Sequence, residues 1–269
     1  MSRRVFTLSA AAMAVIGAPP AFADDEVVSK DVTVKTPDGE ADAVLFYPSK
    51  GQHPAVLIWT DIFGLRPVFR DMGRRLAAQG YVVLVPNPFY RSMKATTEAD
   101  YTAQDVRKKY FPLMATLTAE TTMADAPAFI AFLDAQPQTD TKKKVGVQGY
   151  CMGGPLTFRT AAAVPDRIGG AATFHGASLV TDKPDSPHLL IPKTKAQFYC
   201  GVATNDDHED PEAKDKLKAA FAAVSRPATV EVYDGCNHGW CVKTSAVYNE
   251  PGAEKAWAEL SALYKRTLV

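Results

Sequence analysis

Short apolar runs alternate along the chain with stretches that are apolar on one side only. Short apolar runs are typical of buried strands, and spacing of three and four residues is typical of helices. The runs predict six strands, of which the first two are expected to be buried: Ala55 to Trp59, Tyr81 to Val85, Val145 to Gln148, Ile168 to Phe174, Ala196 to Gly201 and Thr229 to Tyr233. The helical spacing predicts six helices: Pro67 to Gln79, Tyr101 to Lys109, Ala119 to Ala135, Gly153 to Ala163, Glu212 to Val224 and Ala253 to Leu268.

An antiparallel hairpin is expected before the first buried strand. Val32 to Lys35 and Ala43 to Tyr47 alternate or run apolar, and Pro37-Asp38-Gly39 is a turn signal between them. Strands that alternate with helices form crossover units on a parallel sheet. The pattern therefore predicts an α/β fold with a mostly parallel sheet of about seven or eight strands and helices on both faces. Three prolines between Thr181 and Pro192 predict a loop.

The first 23 residues have the layout of an export signal. Arg3 and Arg4 precede the apolar or small stretch from Thr7 to Ala18, and Ala21 and Ala23 fit a cleavage site. The segment resembles a twin-arginine signal, with an ordinary secretory signal as the alternative. We expect residues 24–269 to form a single domain in the periplasm or outside the cell. No later segment is long and apolar enough to predict a membrane helix.

Charge and residue counts narrow the possible functions. Thirty Lys and Arg balance thirty Asp and Glu, so the chain lacks the basic excess of nucleic-acid binding proteins. Four cysteines, with no Cys-x-x-Cys pair, do not indicate a disulfide scaffold or a thioredoxin-type site, although pairing among Cys200, Cys236 and Cys241 remains open. The five histidines show no metal-binding spacing, and we predict no metal site.

Three polar stretches follow predicted strands and carry the candidate chemistry. Gly149-Tyr150-Cys151-Met152-Gly153 matches the strand-to-helix nucleophile turn Gly-x-Ser-x-Gly, with cysteine in place of serine. Asp206 and Asp207 follow a later strand, and His238 follows the last one. The order nucleophile, acid, base is that of α/β-hydrolases. The alternative is that Cys151 is a small buried apolar residue at a glycine-rich turn.

This order predicts a reactive thiolate. The start of a helix and a nearby imidazole both favour the ionised form of Cys151. His238 would exchange protons, and Asp206, favoured over Asp207, would orient it. The backbone N–H groups of Met152 and Ile62 would bind the oxyanion.

Three further residues follow predicted strands near the site. Tyr90 and Trp240 are candidates for lining the pocket, with core or rim packing as the default expectation. His175 is expected to be a structural histidine with satisfied hydrogen bonds, with a place at the border of the pocket as the alternative.

The motifs resemble those of the dienelactone hydrolase (carboxymethylenebutenolidase) family. The resemblance rests on the cysteine turn, on Trp59 to Leu65, on Pro86 to Arg91 and on Asn237-His238-Gly239. It implies a Cys-His-Asp triad, no cofactor and hydrolysis of cyclic or activated esters.

The resemblance also implies roles for substrate-binding residues. An acidic residue before Ile62 holds the resting cysteine in that family, and Asp61 stands there where the best-known members carry glutamate. Two arginines bind the substrate carboxylate; Arg107 fits the first by its distance from the cysteine, and Val242 occupies the position of the second.

The sequence therefore predicts an exported cysteine hydrolase that cleaves a small-molecule ester or lactone through a thioester. Two alternatives remain: a binding or scaffold protein that keeps the fold without turnover, and an exported redox-active thiol protein.

Overall fold

The computed structural model describes residues 26–95 and 106–269, without the side chains of Val106 and Arg107. The predicted export signal and the first part of the predicted helix from Tyr101 to Lys109 lie outside the described residues. The strands are β1 (Val27–Thr36), β2 (Gly39–Pro48), β3 (Ala55–Trp59), β4 (Val82–Pro86), β5 (Val145–Tyr150), β6 (Ile168–Phe174), β7 (Gln197–Ala203) and β8 (Ala228–Tyr233). The α-helices are α1 (Pro67–Ala77), α2 (Phe111–Ala115), α3 (Ala119–Asp134), α4 (Gly153–Ala163), α5 (Thr204–Glu209), α6 (Ala213–Ala223) and α7 (Glu250–Thr267).

The eight strands form one sheet in the order β1-β2-β4-β3-β5-β6-β7-β8. β1, β2 and β4 pair antiparallel, and every pair from β4 to β8 is parallel. The predicted fold class is confirmed. Because the parallel strands all end at one edge, the loops after β3, β5, β6, β7 and β8 meet there, which is where ligands bind in such sheets.

The sheet is covered on both faces. Successive residues of a strand point to opposite sides, and in β3 Leu57 belongs to one apolar core while Val56 belongs to the other. The first core is completed by residues of α3, α4 and α6, such as Phe158 of α4. The second is completed by α1 and α7, such as Phe69 of α1. Burial on both faces explains why the central strands are continuous apolar runs rather than alternating ones.

The structure differs from the predicted elements in two loops. A 3-10 helix, Pro187–Lys193, lies inside the predicted loop, and it ends where Thr194 bonds the carbonyl of Ile191 through both its backbone N–H and its hydroxyl. The polar stretch after β7 is the short helix α5 rather than an extended loop, with Asp206 in its first turn. Both helices are too short to show a periodic pattern of apolar residues.

No helix among the described residues is long and apolar enough to cross a membrane.

A buried ionic network joins the β1–β2 hairpin to α3. Arg91 donates to both carboxylate oxygens of Asp125 at 2.8 Å and to Asp38 at 2.6 Å. The Tyr90 hydroxyl donates to Asp125 at 2.7 Å and lies 2.7 Å from the hydroxyl of Thr36. Burial raises the pKa of Asp125, and the hydrogen bonds from Arg91 and Tyr90 only partly oppose that rise.

We expect Arg91→Met to destabilise the fold by about 3–5 kcal/mol at neutral pH, because it leaves Asp125 buried and charged without its partner. A raised carboxyl pKa means that the folded state holds the proton more tightly, so protonation stabilises it as the pH falls. The loss in the free energy of unfolding should therefore be smaller at pH 4.5 than at pH 7.5, and urea unfolding at each pH measures it. The exposed pair of Lys195 and Asp166 supplies the control Lys195→Met, which should change stability little. An equal loss at both pH values would contradict this account of Asp125.

Candidate active site

The turn that joins β5 to α4 holds Cys151 in a strained conformation. Its φ is 52°, in the left-handed region that residues with a side chain seldom occupy. Gly149 allows the turn because a Cβ there would lie 2.1 Å from the carbonyl oxygen of Gly153. A Cβ on Gly153 would in turn lie 2.7 Å from the carbonyl oxygens of Trp59 and Thr60. Both glycines are therefore required for α4 to approach the end of β3 this closely, as the motif predicts.

His238 and Asp206 lie together at the same edge of the sheet. Nδ1 of His238 lies 2.7 Å from Oδ2 of Asp206, and the backbone N–H of His238 donates to Oδ1 of Asn205 at 2.7 Å. Asp207 instead forms an ion pair with Lys214 at 2.7 Å. The structure thus brings Asp206, the favoured aspartate, to the histidine, because the first turn of α5 points the two neighbouring carboxylates in different directions.

The Cys151 sulfur also interacts with this imidazole, so that Cys151, His238 and Asp206 form a row. Burial by itself lowers the pKa of His238, but hydrogen bonds to the Asp206 carboxylate and the Cys151 sulfur, together with the negative charge on both, raise it to about 10. The imidazole therefore carries a proton at neutral pH. Cys151 is also partly exposed, so a small molecule can reach it.

Two backbone N–H groups near Cys151 have no internal acceptor. Among the hydrogen bonds of the described residues, neither Met152 N–H nor Ile62 N–H has a protein partner. Met152 directly follows Cys151 in the chain, and Ile62 lines the same cavity as Cys151. The two groups predicted to bind the oxyanion are thus available to an external acceptor.

The Asp61 carboxylate does not hold the cysteine. Its two oxygens accept hydrogen bonds from the Arg66 guanidinium at 2.6 and 2.8 Å, and one of them also accepts from the backbone N–H of Phe63 at 2.9 Å. No hydrogen bond in the described part of the chain joins Asp61 to Cys151. The expected contact with the resting thiol is therefore wrong. Instead, the Asp61–Arg66 pair fixes the loop that presents Ile62.

The spacing of Asp61 and Arg66 was the signal available in the sequence for this pair. The two residues lie on either side of Gly64, whose φ of 74° turns the chain back on itself. Arg66 also lies over the ring of Phe63, 5.2 Å from its centroid.

A cavity of about 380 Å³ opens beside the sulfur. Asp61, Arg66, Cys151 and His238 give it polar walls, and its other lining residues are small, apolar or aromatic: Ile62, Phe63, His175, Gly239, Val242, Thr244, Ser245 and Ala246. The cavity is large enough for a small ester or lactone.

Two of the predicted pocket residues lie in the core instead. Trp240 is fully buried, stacks on Tyr233 with ring centroids 4.8 Å apart and meets His175 edge-on. The Tyr90 hydroxyl is used by Asp125 and Thr36, away from the cavity. The candidate pocket role is therefore wrong for both residues, and core packing, the default expectation, is the outcome, because the loops after β4 and β8 turn these aromatic rings inward. Arg107 lies in a π-helical turn, Val106–Tyr110, and its side chain is outside the described residues.

His175 differs from its prediction in its hydrogen bonding. It is fully buried, lines the cavity and lies against His238, with ring centroids 5.0 Å apart. Neither ring nitrogen has a hydrogen-bond partner in the described structure, so the expected satisfied histidine is wrong. Burial, together with the charge of His238, holds its pKa well below the ordinary value, so the ring is neutral. A second positive charge is therefore kept away from His238.

The remaining thiols are structural. Cys200, Cys236 and Cys241 are buried and free, and burial raises the pKa of each. The described residues contain no group of three or more His, Cys, Asp or Glu side chains that could hold a metal ion.

Comparison with known proteins gives one family. The model of the dienelactone hydrolase family matches residues 41–268. A carboxymethylenebutenolidase of Pseudomonas sp. (strain P51) is 28% identical over 228 residues, which are 85% of this chain and 91% of the relative. A Klebsiella pneumoniae structure described as a dienelactone hydrolase superposes with a TM-score of 0.78 at 20% identity, and the match covers 89% of this chain and 99% of that one. A dienelactone hydrolase-like promiscuous phosphotriesterase from metagenomic libraries has a TM-score of 0.76 at 17% identity, over 90% and 99% of the two chains.

We expect iodoacetamide to label a single cysteine of the native protein, because three thiols are buried and Cys151 lies beside a protonated imidazole. In His238→Ala the labelling of Cys151 at pH 7 should slow by about tenfold or more, since the thiolate is the reacting form. Mass spectrometry of intact and digested protein measures both the site and the rate. His208, an exposed histidine of α5, supplies the control His208→Ala, which should react like the parent protein. An unchanged rate in His238→Ala would contradict the proposed pairing of sulfur and imidazole.

Proposed function

Because the chain belongs to the dienelactone hydrolase family, we propose that it is an exported cysteine hydrolase that cleaves an ester or lactone through a thioester intermediate. The observation that carries the cysteine mechanism is the row formed by Cys151, His238 and Asp206. Its order along the chain and its hydrogen bonds match a nucleophile, a base and an orienting acid.

In the first half-reaction the Cys151 sulfur forms a bond to the carbonyl carbon of the substrate. Negative charge develops on the carbonyl oxygen, where the N–H groups of Met152 and Ile62 stabilise it. The bond from the carbon to the leaving oxygen then breaks, and that oxygen takes the proton from Nε2 of His238. An alcohol leaves, or the opened end of a lactone remains attached, and the acyl group stays on the sulfur as a thioester.

In the second half-reaction water replaces the alcohol. His238, now neutral, takes a proton from water as the water oxygen bonds to the thioester carbon. The carbon–sulfur bond breaks and restores the thiolate, and the carboxylic acid product leaves. Asp206 stabilises the imidazolium in both half-reactions and fixes the tautomer whose Nε2 faces the sulfur.

The relatives support an ester-cleaving activity but not one substrate. The relatives named carboxymethylenebutenolidase are about one quarter identical to this chain. Val242 is buried in the cavity wall at the position where the family resemblance implies a carboxylate-binding arginine. The described wall contains one arginine, Arg66, and Asp61 already neutralises it. We therefore propose a substrate whose acyl part is uncharged.

The proposed location outside the cytoplasm rests on the first 23 residues. Paired arginines, an apolar stretch and a cleavage-like Ala21-Phe22-Ala23 are the features of an export signal, and their resemblance to a twin-arginine signal suggests transport of the folded protein. Fractionation of cells that produce the full chain, with N-terminal sequencing of the mature form, tests this location.

We expect Cys151→Ala and His238→Ala each to lower kcat/KM for phenyl acetate by roughly a thousandfold or more, because each removes a reacting group. Cys151→Ser should fold and work poorly, since the site is built for a thiolate. In the parent protein a rapid quench should trap an acetyl group on Cys151, which mass spectrometry would detect. Full activity of either alanine variant would overturn the assignment, and folded protein without turnover on any ester or lactone would favour a binding or scaffold protein.

Because the pKa of His238 is raised, kcat/KM should stay constant well into the alkaline pH range. We expect kcat/KM to fall as the pH rises through about 10, where the imidazolium loses the proton that the leaving oxygen needs. In Asp206→Asn this fall should begin at lower pH, because one of the interactions that raise the pKa is gone. Asp207→Asn is the matched control, and its kcat/KM should fall at the same alkaline pH as that of the parent protein. An identical alkaline limb in Asp206→Asn would show that Asp206 does not hold the charge of His238.

A further inference from the structure

A second cavity also has His238 in its lining. It has a volume of about 500 Å³ and is lined by His238 and Asp206 but not by Cys151. Its walls are the loop after β6, the helix α5 and the first turns of α6. The cavity beside Cys151 is lined mainly by the loops after β3 and β8, with His175 from the end of β6. His238 is the residue that both cavities share.

The chemistry of an ester assigns different halves of the substrate to these compartments. The acyl carbon must lie between the Cys151 sulfur and the N–H groups of Met152 and Ile62. The leaving oxygen must lie against His238, which gives it a proton. The alcohol half therefore extends from His238, and the larger cavity is the space available to it. A lactone keeps both halves in one ring and needs no second compartment.

The lining of the second cavity indicates what kind of alcohol fits. Leu179, Val180 and Leu217 give it an apolar wall. Glu209 and Asp210 are exposed at its edge, and neither forms an ion pair with a described residue. The cation in its lining, Lys214, is already paired with Asp207. The cavity thus has one apolar wall and a negative edge, where Glu209 and Asp210 form no ion pair with a described residue.

We propose that this second cavity is a leaving-group subsite and that the enzyme favours acyclic esters of uncharged or cationic alcohols over esters of anionic ones. The proposal rests on the hydrolase function proposed above and adds the class of alcohol. Attraction between exposed charges is modest and is screened by salt. The preference should therefore be small, dependent on ionic strength and confined to the leaving group.

Esters that share one acyl group provide a sharp test. Acetates of 3-trimethylammoniophenol, 3-tert-butylphenol and 3-sulfophenol have leaving groups that are cationic, neutral and anionic, and the first two have nearly the same shape. All three give the same acetyl-enzyme, so differences in leaving-group binding appear in kcat/KM, which reports formation of that intermediate. Alkaline hydrolysis of each ester corrects for intrinsic reactivity. After that correction we expect the cationic ester to exceed the neutral one by about fivefold at low salt, and the ratio to approach one in about 0.5 M NaCl.

Substitutions of the two acidic residues at the edge of the cavity test whether their charge causes the preference. The double variant Glu209→Gln/Asp210→Asn should remove the preference for the cationic ester and leave kcat/KM for the tert-butyl ester unchanged. The matched control is Glu212→Gln/Asp215→Asn, which removes two nearby acids that face Lys216 and Lys218 instead of the cavity. That control should keep the preference.

A second variant tests, independently of charge, whether the leaving group occupies the cavity. Ala213 lies on the first turn of α6 and lines the cavity, so Ala213→Phe should lower kcat/KM for the tert-butylphenyl ester by about tenfold while methyl acetate is hydrolysed as before. Ala222→Phe adds the same ring to an exposed position of the same helix and should change neither substrate.

The outcomes separate the two proposals. If no ester is hydrolysed and no acetyl group appears on Cys151, the hydrolase function fails and the subsite falls with it. If acetyl-Cys151 forms but kcat/KM is indifferent to leaving-group charge and to Ala213→Phe, the hydrolase function stands and the subsite is overturned.

Discussion

The backbone turn at Cys151 is the constraint on which the rest of the site depends. A positive φ at a residue with a side chain costs on the order of 1–3 kcal/mol, and it persists here because the surroundings leave no alternative. Gly149 lies against the start of α4, and Gly153 lies against the carbonyl groups at the end of β3. Close packing of three elements therefore sets the position of the sulfur at the edge of the cavity that Ile62 also lines.

Charge around the sulfur is arranged so that each ion has a partner. His238 lies between Asp206 and Cys151, and Asp61 lies against Arg66. His175 packs on His238 but stays neutral because it is buried. The use of Asp61 by Arg66 separates two tasks that a single acidic residue could perform: this carboxylate stabilises the oxyanion loop, and it leaves the thiol to the imidazole alone.

The sequence predicted those features that depend on local pattern and chain order. β3 and β4 are continuous apolar runs, the glycines around Cys151 have fixed spacing, and Asp206 and His238 come a few residues after β7 and β8. Features set by contacts distant in sequence were not predictable. Tyr90 is held by Asp125 and Trp240 stacks on Tyr233, and nothing near either aromatic residue in the chain signals those partners. The prediction for His175 was wrong for a related reason, because the sequence around a histidine after a strand does not indicate whether its ring nitrogens will find hydrogen-bond partners.

The unequal exposure of the four thiols has a consequence for oxidative damage. Peroxide attacks accessible thiolates, and it converts them first to sulfenic acid, which a small thiol can reduce. Cys200, Cys236 and Cys241 are shielded inside the fold, whereas Cys151 is open to solvent. In the proposed exported hydrolase, an oxidant would therefore stop turnover by modifying one atom while the sheet and its two cores stay intact. Inactivation of this kind is reversible for as long as the sulfur has not progressed to the sulfinic acid.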